Sequence, residues 1–227
     1  MLSIITVTYN DLAGLQDTID SVHRTTILGQ WEHIVIDGNS NDGTIEYLQK
    51  IKLQKFIWHS ENDSGIYDAM NKGIRCANGN MMVFLNAGDT IKGTLNIDDL
   101  KDFDLISVTT GVQENPYCPK SFIAPFSMPY CHQGMIFPIN NLYYDLQYRI
   151  ASDLDFVYRS GRLKFNPKSI VKSCEINFDE NGVSSKSFIK RDFESFKIIY
   201  KYSILNGVIF MLVRFFVLVG KILLSWK

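Results

Sequence analysis

Five aspartates, Asp37, Asp42, Asp63, Asp68 and Asp89, fall in turns that follow short apolar runs near the start of the chain. The turns read TVTYND (6–11), VIDGNSNDG (35–43), SENDSGIYDAMNKG (60–73) and FLNAGD (84–89). Carboxylates and amides grouped in this way suit two tasks. Asp37, with Thr8, Tyr9 and Asn10 on the neighbouring turn, is placed to accept hydrogen bonds from a base or a ribose. Asp89 offers a hard oxygen to a divalent cation carrying a diphosphate, with Asn86 adding a weaker amide oxygen. No lysine-bearing, glycine-rich phosphate loop accompanies these turns. Asp42 also suits a plain helix N-cap. Further along, Asp153 stands in ASDLD (151–155), and His132-Gln133 precede the apolar run MIFP (135–138).

These groups converge only if the elements before them end at one edge. Residues 2–9 are apolar and β-branched, as a strand buried on both faces requires. Leu12, Leu15, Ile19 and Val22 then recur at helical spacing, with Asn10 or Asp11 as cap. A strand over 33–36 ends at Asp37-Gly38. A helix is expected over about 43–53, a strand at 56–58, a helix over 66–76 and a strand over 81–85. Such alternation implies right-handed crossovers and a mostly parallel sheet with helices on both faces. Ligands of such sheets bind beyond the carboxyl ends of the strands, where these turns lie.

The regularity is expected to stop near residue 110. Four of the six prolines (Pro116, Pro119, Pro125, Pro129) follow within twenty residues and exclude a central strand or an unbroken helix. That stretch reads as a long functional loop. The expected organisation is a single domain with a nucleotide-binding half (1–110), a second half (111–200) and a C-terminal helix (201–227). The second half is expected to hold helices near 153–161 and from about 187.

A net charge of −1 gives no footprint for nucleic acid, but the charge is uneven. From Lys186 onward there are eight Lys/Arg and two acids, a balance of +6, against −7 in the preceding residues. The four cysteines form no C-x-x-C pair and suit reduced thiols. MLSIITVTYN has no early positive charge and reads as a buried strand rather than a signal peptide.

Taken together, ITVTYN, VIDGNSNDGT, ENDSGIYDAMNKG and FLNAGD resemble family-2 glycosyltransferases of the GT-A fold, particularly those of bacterial extracellular polysaccharide assembly. The likeness covers residues 1–90 strongly and 131–195 more loosely. It implies a nucleotide-diphospho-sugar donor and Mg²⁺ or Mn²⁺ on the turn ending at Asp89. Thr8, Tyr9, Asn10, Asp37, Asp68 and Asn71 would lie on the donor side, His132 and Gln133 on the acceptor side. Asp153 would be the catalytic base. The chain departs from the family pattern at Asn86, where an Asp is usual, at Gly88, and at Ser152, which stands where a Glu is usual. An inverting mechanism follows from one base and one in-line displacement. Two other readings stay open: a sugar-nucleotide-binding subunit without catalysis, and a nucleotidylyltransferase, which usually opens with a Gly-rich turn absent from TVTYND.

Residues 203–226, SILNGVIFMLVRFFVLVGKILLSW, are long enough to span a bilayer. A central Arg214 would cost roughly 2.5–3.5 kcal/mol there. Gly207, Arg214 and Lys221 recur every seven residues, forming one narrow polar stripe. With the basic run before it, the segment is expected to lie in an anionic membrane interface. Packing, including contact with a second copy, and spanning are the alternatives. The acceptor is expected to be a lipid-linked saccharide, and the enzyme to work at the cytoplasmic face of the inner membrane.

Overall fold

A computed structural model describes residues 1–100, 105–110, 131–160, 170–179 and 188–213. The expected proline-rich loop and the last fourteen residues lie outside the described set.

The first half builds a parallel sheet. Strands β1 (Leu2–Thr8), β3 (Trp31–Asp37), β4 (Phe56–Ser60) and β5 (Met81–Phe84) run in the order β4-β3-β1-β5, and β8 (Phe137–Pro138) closes the edge antiparallel to β5. Side chains alternate across β1 and β3. Ile5, Val7, Ile34 and Ile36 face α3 (Ile66–Cys76) and α4 (Ser152–Arg159), meeting Tyr67, Met70, Ile74 and Phe156 in one core. On the other face Val35 packs under α1 (Leu12–Arg24) and α2 (Thr44–Leu48), through Leu15, Ile19 and Leu48. The chain therefore has the expected α/β architecture, with helices on both sides.

That second face also carries a small sheet, in the order β2-β6-β9-β7, which the sequence reading misses. Its strands are β2 (Thr26–Leu28), β6 (Thr90–Asn96), β7 (Leu105–Thr110) and β9 (Ile170–Phe178). Leu2, Ile4, Met81, Val83 and Leu85 of the main sheet bury against Ile91, Leu95, Ile106, Val108 and Ile176 of the small one. Because β9 pairs antiparallel with β6 and parallel with β7, the second half of the chain completes a layer begun by the first.

Two boundaries differ from expectation. The helix after the β3 turn is five residues rather than about eleven. Beyond it Lys50 N and Ile51 N bond three residues back, and Lys55 enters the left-handed region at φ +60°, turning the chain into β4. Asp42 is not the cap residue of α2, a place taken by Gly43. Its carboxylate accepts from Leu12 N and Thr44 N instead, tying the starts of α1 and α2 together.

The C-terminal part folds back on the second half. Helix α5 (Phe188–Tyr202) is followed by helix over 204–213, and Ile198, Ile199 and Phe210 bury with Leu154 and Tyr148. The two helices cross closely: a Cβ on Gly207 would lie 2.8 Å from Tyr200 Cα. Gly207 thus faces protein, not the polar side of an isolated stripe. Asp155, fully buried on α4, fastens α5. It accepts from Arg159 Nε at 2.6 Å, Tyr202 Oη at 3.0 Å and Lys201 Nζ at 3.4 Å. Among the described residues no helix is long and apolar enough to cross a membrane.

Deleting one side of a buried ion pair leaves its partners uncompensated, although Arg159 and Lys201 keep some access to water. Asp155→Ala is therefore expected to cost about 2–3 kcal/mol, at or below the low end for buried pairs. An unchanged urea midpoint would show that α5 is held by its apolar face alone.

Candidate active site

The chain leaves β1 for α1 on one face of the sheet and enters β5 from α3 on the other. The turns beyond the carboxyl ends of these two strands border a crevice, the edge at which ligands of such sheets bind. It widens into a cleft of about 560 Å³ whose walls include Thr8, Tyr9, Asp68, Asn86, Asp89, His132, Gln133 and Asp153. Eight of the eleven side chains given a site role in the sequence reading thus meet around one space, and Asp63 lines it with them.

The floor is the NAGD turn. Ala87 N donates to Val7 O, extending the β1–β5 pairing past the end of β5. Gly88 then turns with φ +94°, a conformation that disfavours other residues. Asp89 folds back so that one carboxylate oxygen accepts from Asn86 N at 2.8 Å and the other from Asp179 N at 3.0 Å. Thr18 of α1 fixes the turn from below: its hydroxyl lies 2.8 Å from Asp89 O and accepts from Gly88 N at 3.0 Å. Burial raises Asp89 to about 7, despite these hydrogen bonds, and nearby Asp179 adds to the rise. Neither Thr18 nor Asp179 was picked out from the sequence. Thr18 reads as an ordinary helix residue, and Asp179 lies ninety residues away.

Two polar atoms of the cleft are buried with no partner among the described residues, Thr8 Oγ1 and Asn86 Oδ1. Buried polar groups are almost always hydrogen-bonded, so such atoms mark places where a ligand belongs. Asn86 Oδ1, the Asp89 carboxylate and Asp179 beside Gly88 form a hard-oxygen set. Among the described residues no three His, Cys, Asp or Glu side chains form a metal cluster. The set fits a cation such as Mg²⁺, which takes one or two carboxylates and completes its shell with water or phosphate.

Across the cleft, Asp153 sits in the first turn of α4, partly buried. Burial raises it to about 6; a hydrogen bond from Leu154 N, one with the Tyr67 hydroxyl and the charge of Arg191 hold it from rising further. At neutral pH it is ionised and ready to take a proton. Asp155, two residues on, faces the opposite way into the contact with α5. His132 stacks on Phe84 with centroids 5.2 Å apart, and its Nε2 lies 2.6 Å from Tyr144 Oη. Burial drives its pKa down to about 3, so it is a neutral wall of the site. Gln133 beside it accepts from Cys131 Sγ.

Three expected donor residues lie elsewhere. Asp37 is fully buried, and its carboxylate accepts from Ser40 N, Ser40 Oγ and Ser60 Oγ; it is the keystone of the β3 turn. Asn71 is buried in α3, clasping both backbone groups of Tyr144. Asn10, at φ +52°, receives Asn41 N and donates its own N–H to Ser40. These three side chains satisfy backbone and turn groups within the fold instead of lining the cleft. Asp68 does reach the cleft, while accepting from Ser64 N.

Residues 3–94 match the model of the family described as glycosyl transferase family 2. An uncharacterized glycosyltransferase of Mycobacterium tuberculosis (strain CDC 1551 / Oshkosh) is 33% identical over 206 residues, covering 81% of this chain and 77% of the relative. A PGL/p-HBAD biosynthesis glycosyltransferase of Mycobacterium bovis (strain BCG) is 29% identical over 216 residues, covering 85% and 82%. Among solved structures, a mannosyltransferase of Pyrobaculum calidifontis in complex with GDP-Man and Mn²⁺ superposes with a TM-score of 0.63 at 16% identity. That match covers 88% of this chain and spans 63% of the mannosyltransferase chain.

Asn71→Leu separates packing from ligand contact. It keeps the branched shape but leaves Tyr144 N–H and C=O without their Asn71 partner, at a cost of about 2 kcal/mol. Thermal unfolding is expected to occur at a lower temperature while the cleft's ligand affinity is unchanged. Weaker binding at undiminished stability would return Asn71 to the ligand side.

Proposed function

The chain belongs to glycosyl transferase family 2, and we propose that it is an inverting, metal-assisted enzyme of cell-surface polysaccharide or glycolipid synthesis, moving a sugar from a nucleotide-diphospho-sugar to a lipid-linked saccharide. A glycosyltransferase must bind a donor and activate an acceptor. Catalysis therefore replaces the sequence's alternatives of a non-catalytic subunit and a nucleotidylyltransferase.

The observation that carries the reading is the arrangement of two unlike walls in one cleft. Beyond the carboxyl ends of β1 and β5, Thr8 Oγ1 and Asn86 Oδ1 have no partner among the described residues and stand beside Asp89, where a nucleoside diphosphate would lie. Opposite them stands Asp153, a carboxylate whose proton affinity has been raised toward working pH. Asp153 takes the proton from an acceptor hydroxyl as that oxygen attacks the anomeric carbon on the side away from the diphosphate. One base and one displacement give inversion, and no carboxylate nucleophile takes part. Mg²⁺ or Mn²⁺ held by Asp89, Asn86 and Asp179 would stabilise the charge of the departing diphosphate. The mannosyltransferase complex with GDP-Man and Mn²⁺ supports that donor class. In this reading residues 1–110 supply the donor side, 111–200 the acceptor side and 201–227 the anchor.

The acceptor side supports a lipid-linked substrate. Ile66, Leu146 and Ile150 give it apolar surface, and Arg149 stands exposed among them with no ion pair among the described residues. A cation set in apolar surface suits a phosphate attached to a hydrocarbon chain. Beyond it, Ile189, Phe193, Ile204, Leu205, Val208 and Leu212 expose apolar surface along α5 and 204–213, with Lys190, Lys197 and Lys201 on the same helical segment. This surface supports the reading in which the enzyme lies on an anionic leaflet at the cytoplasmic face of the inner membrane, with apolar side chains inserted and lysines near the headgroups.

Asp153→Asn tests the chemistry. With UDP- and GDP-sugars, Mn²⁺ and a polyprenyl-diphosphate-linked sugar, transfer is expected to fall by about 10²–10⁴-fold, the usual contribution of a general base. In the wild type, kcat/KM is expected to decline as pH falls through about 6, because protonation removes the base. Transfer by Asp153→Asn at the wild-type rate would reject the assignment.

Flotation tests the membrane surface. The full chain is expected to float with vesicles containing phosphatidylglycerol, and a chain lacking 203–227 to stay at the bottom. If the full chain ignores vesicles and elutes as a dimer, this surface meets a second copy instead.

A further inference from the structure

Resting on the reading of Asp153 as the base, we propose that Tyr67 and Glu194 are positioning residues for it, joined through the peptide group between Ile150 and Ala151.

The geometry begins on α5. Glu194 reaches across to the loop ahead of α4 and accepts three backbone N–H groups: Arg149 N at 3.0 Å on one oxygen, Ile150 N at 2.8 Å and Ala151 N at 2.9 Å on the other. A carboxylate bonded to three successive N–H groups fixes that loop at the start of α4, where exposed donors need a partner. Asp153 follows two residues later. The Ala151 N–H held by Glu194 shares its peptide group with the Ile150 carbonyl. That carbonyl accepts from Tyr67 Oη at 2.8 Å. The same hydroxyl lines the cleft with Asp153 and is close enough to act on its carboxyl, where it favours the ionised form.

Tyr67 therefore has one proton and two acceptors. Burial and the charge of Asp153 raise its own pKa well above the usual value, so the phenol keeps its proton throughout. While Asp153 is ionised, the proton is best given to the carboxylate. Once Asp153 has taken a proton from the acceptor, Asp153 donates to the Tyr67 oxygen and the phenol proton turns to Ile150 O. Glu194 biases this choice. By drawing on the Ala151 N–H it polarises the peptide group and makes Ile150 O a stronger acceptor, since linked hydrogen bonds reinforce one another. Hydrogen-bonding capacity at Asp153 is thus filled in both of its states without moving the helix. Tyr67 is held by stacking on Tyr144, with ring centroids 5.3 Å apart, and Phe preserves that contact.

The other ionisable groups facing Asp153 are Tyr144 from the loop before α4, Cys131 from the start of the His-Gln turn, and Arg191 from α5. Arg191 favours the ionised carboxylate. Tyr144 and Cys131 are raised by burial and stay neutral, so neither competes for the proton.

The two substitutions make opposite predictions. Tyr67→Phe removes a donor to the ionised carboxylate, so Asp153 should titrate at higher pH than in the wild type, by about one pH unit. Glu194→Gln removes a negative charge and weakens the pull on the Tyr67 proton, so Asp153 should titrate at lower pH. The measurement is a ¹³C carboxyl NMR titration of the full-length protein, with the Asp153 resonance assigned by its absence in Asp153→Asn. The acid limb of donor turnover should move in the same senses. Titration of Asp153 unmoved in Tyr67→Phe, or moved the same way by both variants, overturns the proposal, even if either variant loses thermal stability. Should Glu194→Gln fail to fold, the sign of the Tyr67→Phe shift decides alone. The base reading is tested separately, because Asp153→Asn retaining full turnover would reject it whatever the titrations show.

Discussion

The site depends on a constraint of topology: β1 and β5 are neighbours, and beyond both of their carboxyl ends the chain turns toward the face that carries α1 and the small sheet. The turns that make this departure sit at the edge where ligands of such sheets bind. Backbone groups at that edge need partners, and the fold supplies them by bending the NAGD turn back on itself and bracing it with Thr18. Thr8 Oγ1 and Asn86 Oδ1 are the atoms this bracing does not reach. An unmet hydrogen bond in a buried place costs stability, about 1–3 kcal/mol for each group. At a site that binds a polar ligand, the same cost is recovered when the ligand arrives.

The elements of the first ninety residues were largely legible because their signals are local. Apolar runs, helical spacing at Leu15, Ile19 and Val22, and turns at Asp37 and Asp89 each announce themselves within a few residues. The small sheet was not legible, for the opposite reason. Strand β6 contains Lys92 and Gly93, and β9 alternates buried Cys174 and Ile176 with exposed or half-exposed neighbours, so each looks weak alone. Their stability comes from a partner about eighty residues distant. The same distinction governs the site. Asp37, Asn71 and Asp89 look alike as polar residues beside apolar ones. Which of them faces ligand is decided by what Ser60, Tyr144 and Asp179 do in space.

Asp153 and Asp155 show how little sequence distance is needed to separate two fates. Both carboxyls are on one helix, two positions apart, and so point to different sides of it. Asp155 meets Arg159, Lys201 and Tyr202 and is fixed in place by them. Asp153 meets the cleft and a phenol, and burial raises its proton affinity. A firmly paired carboxylate makes a good fastener and a poor base. In the proposed reading the α4 helix assigns the first task to one residue and leaves the second to the other.

These two tasks are joined by α5. It grips α4 at Asp155, and it grips the loop before α4 through Glu194, so the wall that carries Asp153 is held from both ends by one helix. That helix and residues 204–213 also expose the apolar surface of the C-terminal part, with Gly207 packed tightly on Tyr200. A displacement of this helical pair cannot leave Asp153 where it was. Both grips are charged, the one at Asp155 fully buried and the one at Glu194 half-buried. Whatever covers the apolar surface therefore bears directly on the position of Asp153, through hydrogen bonds that can be named one by one.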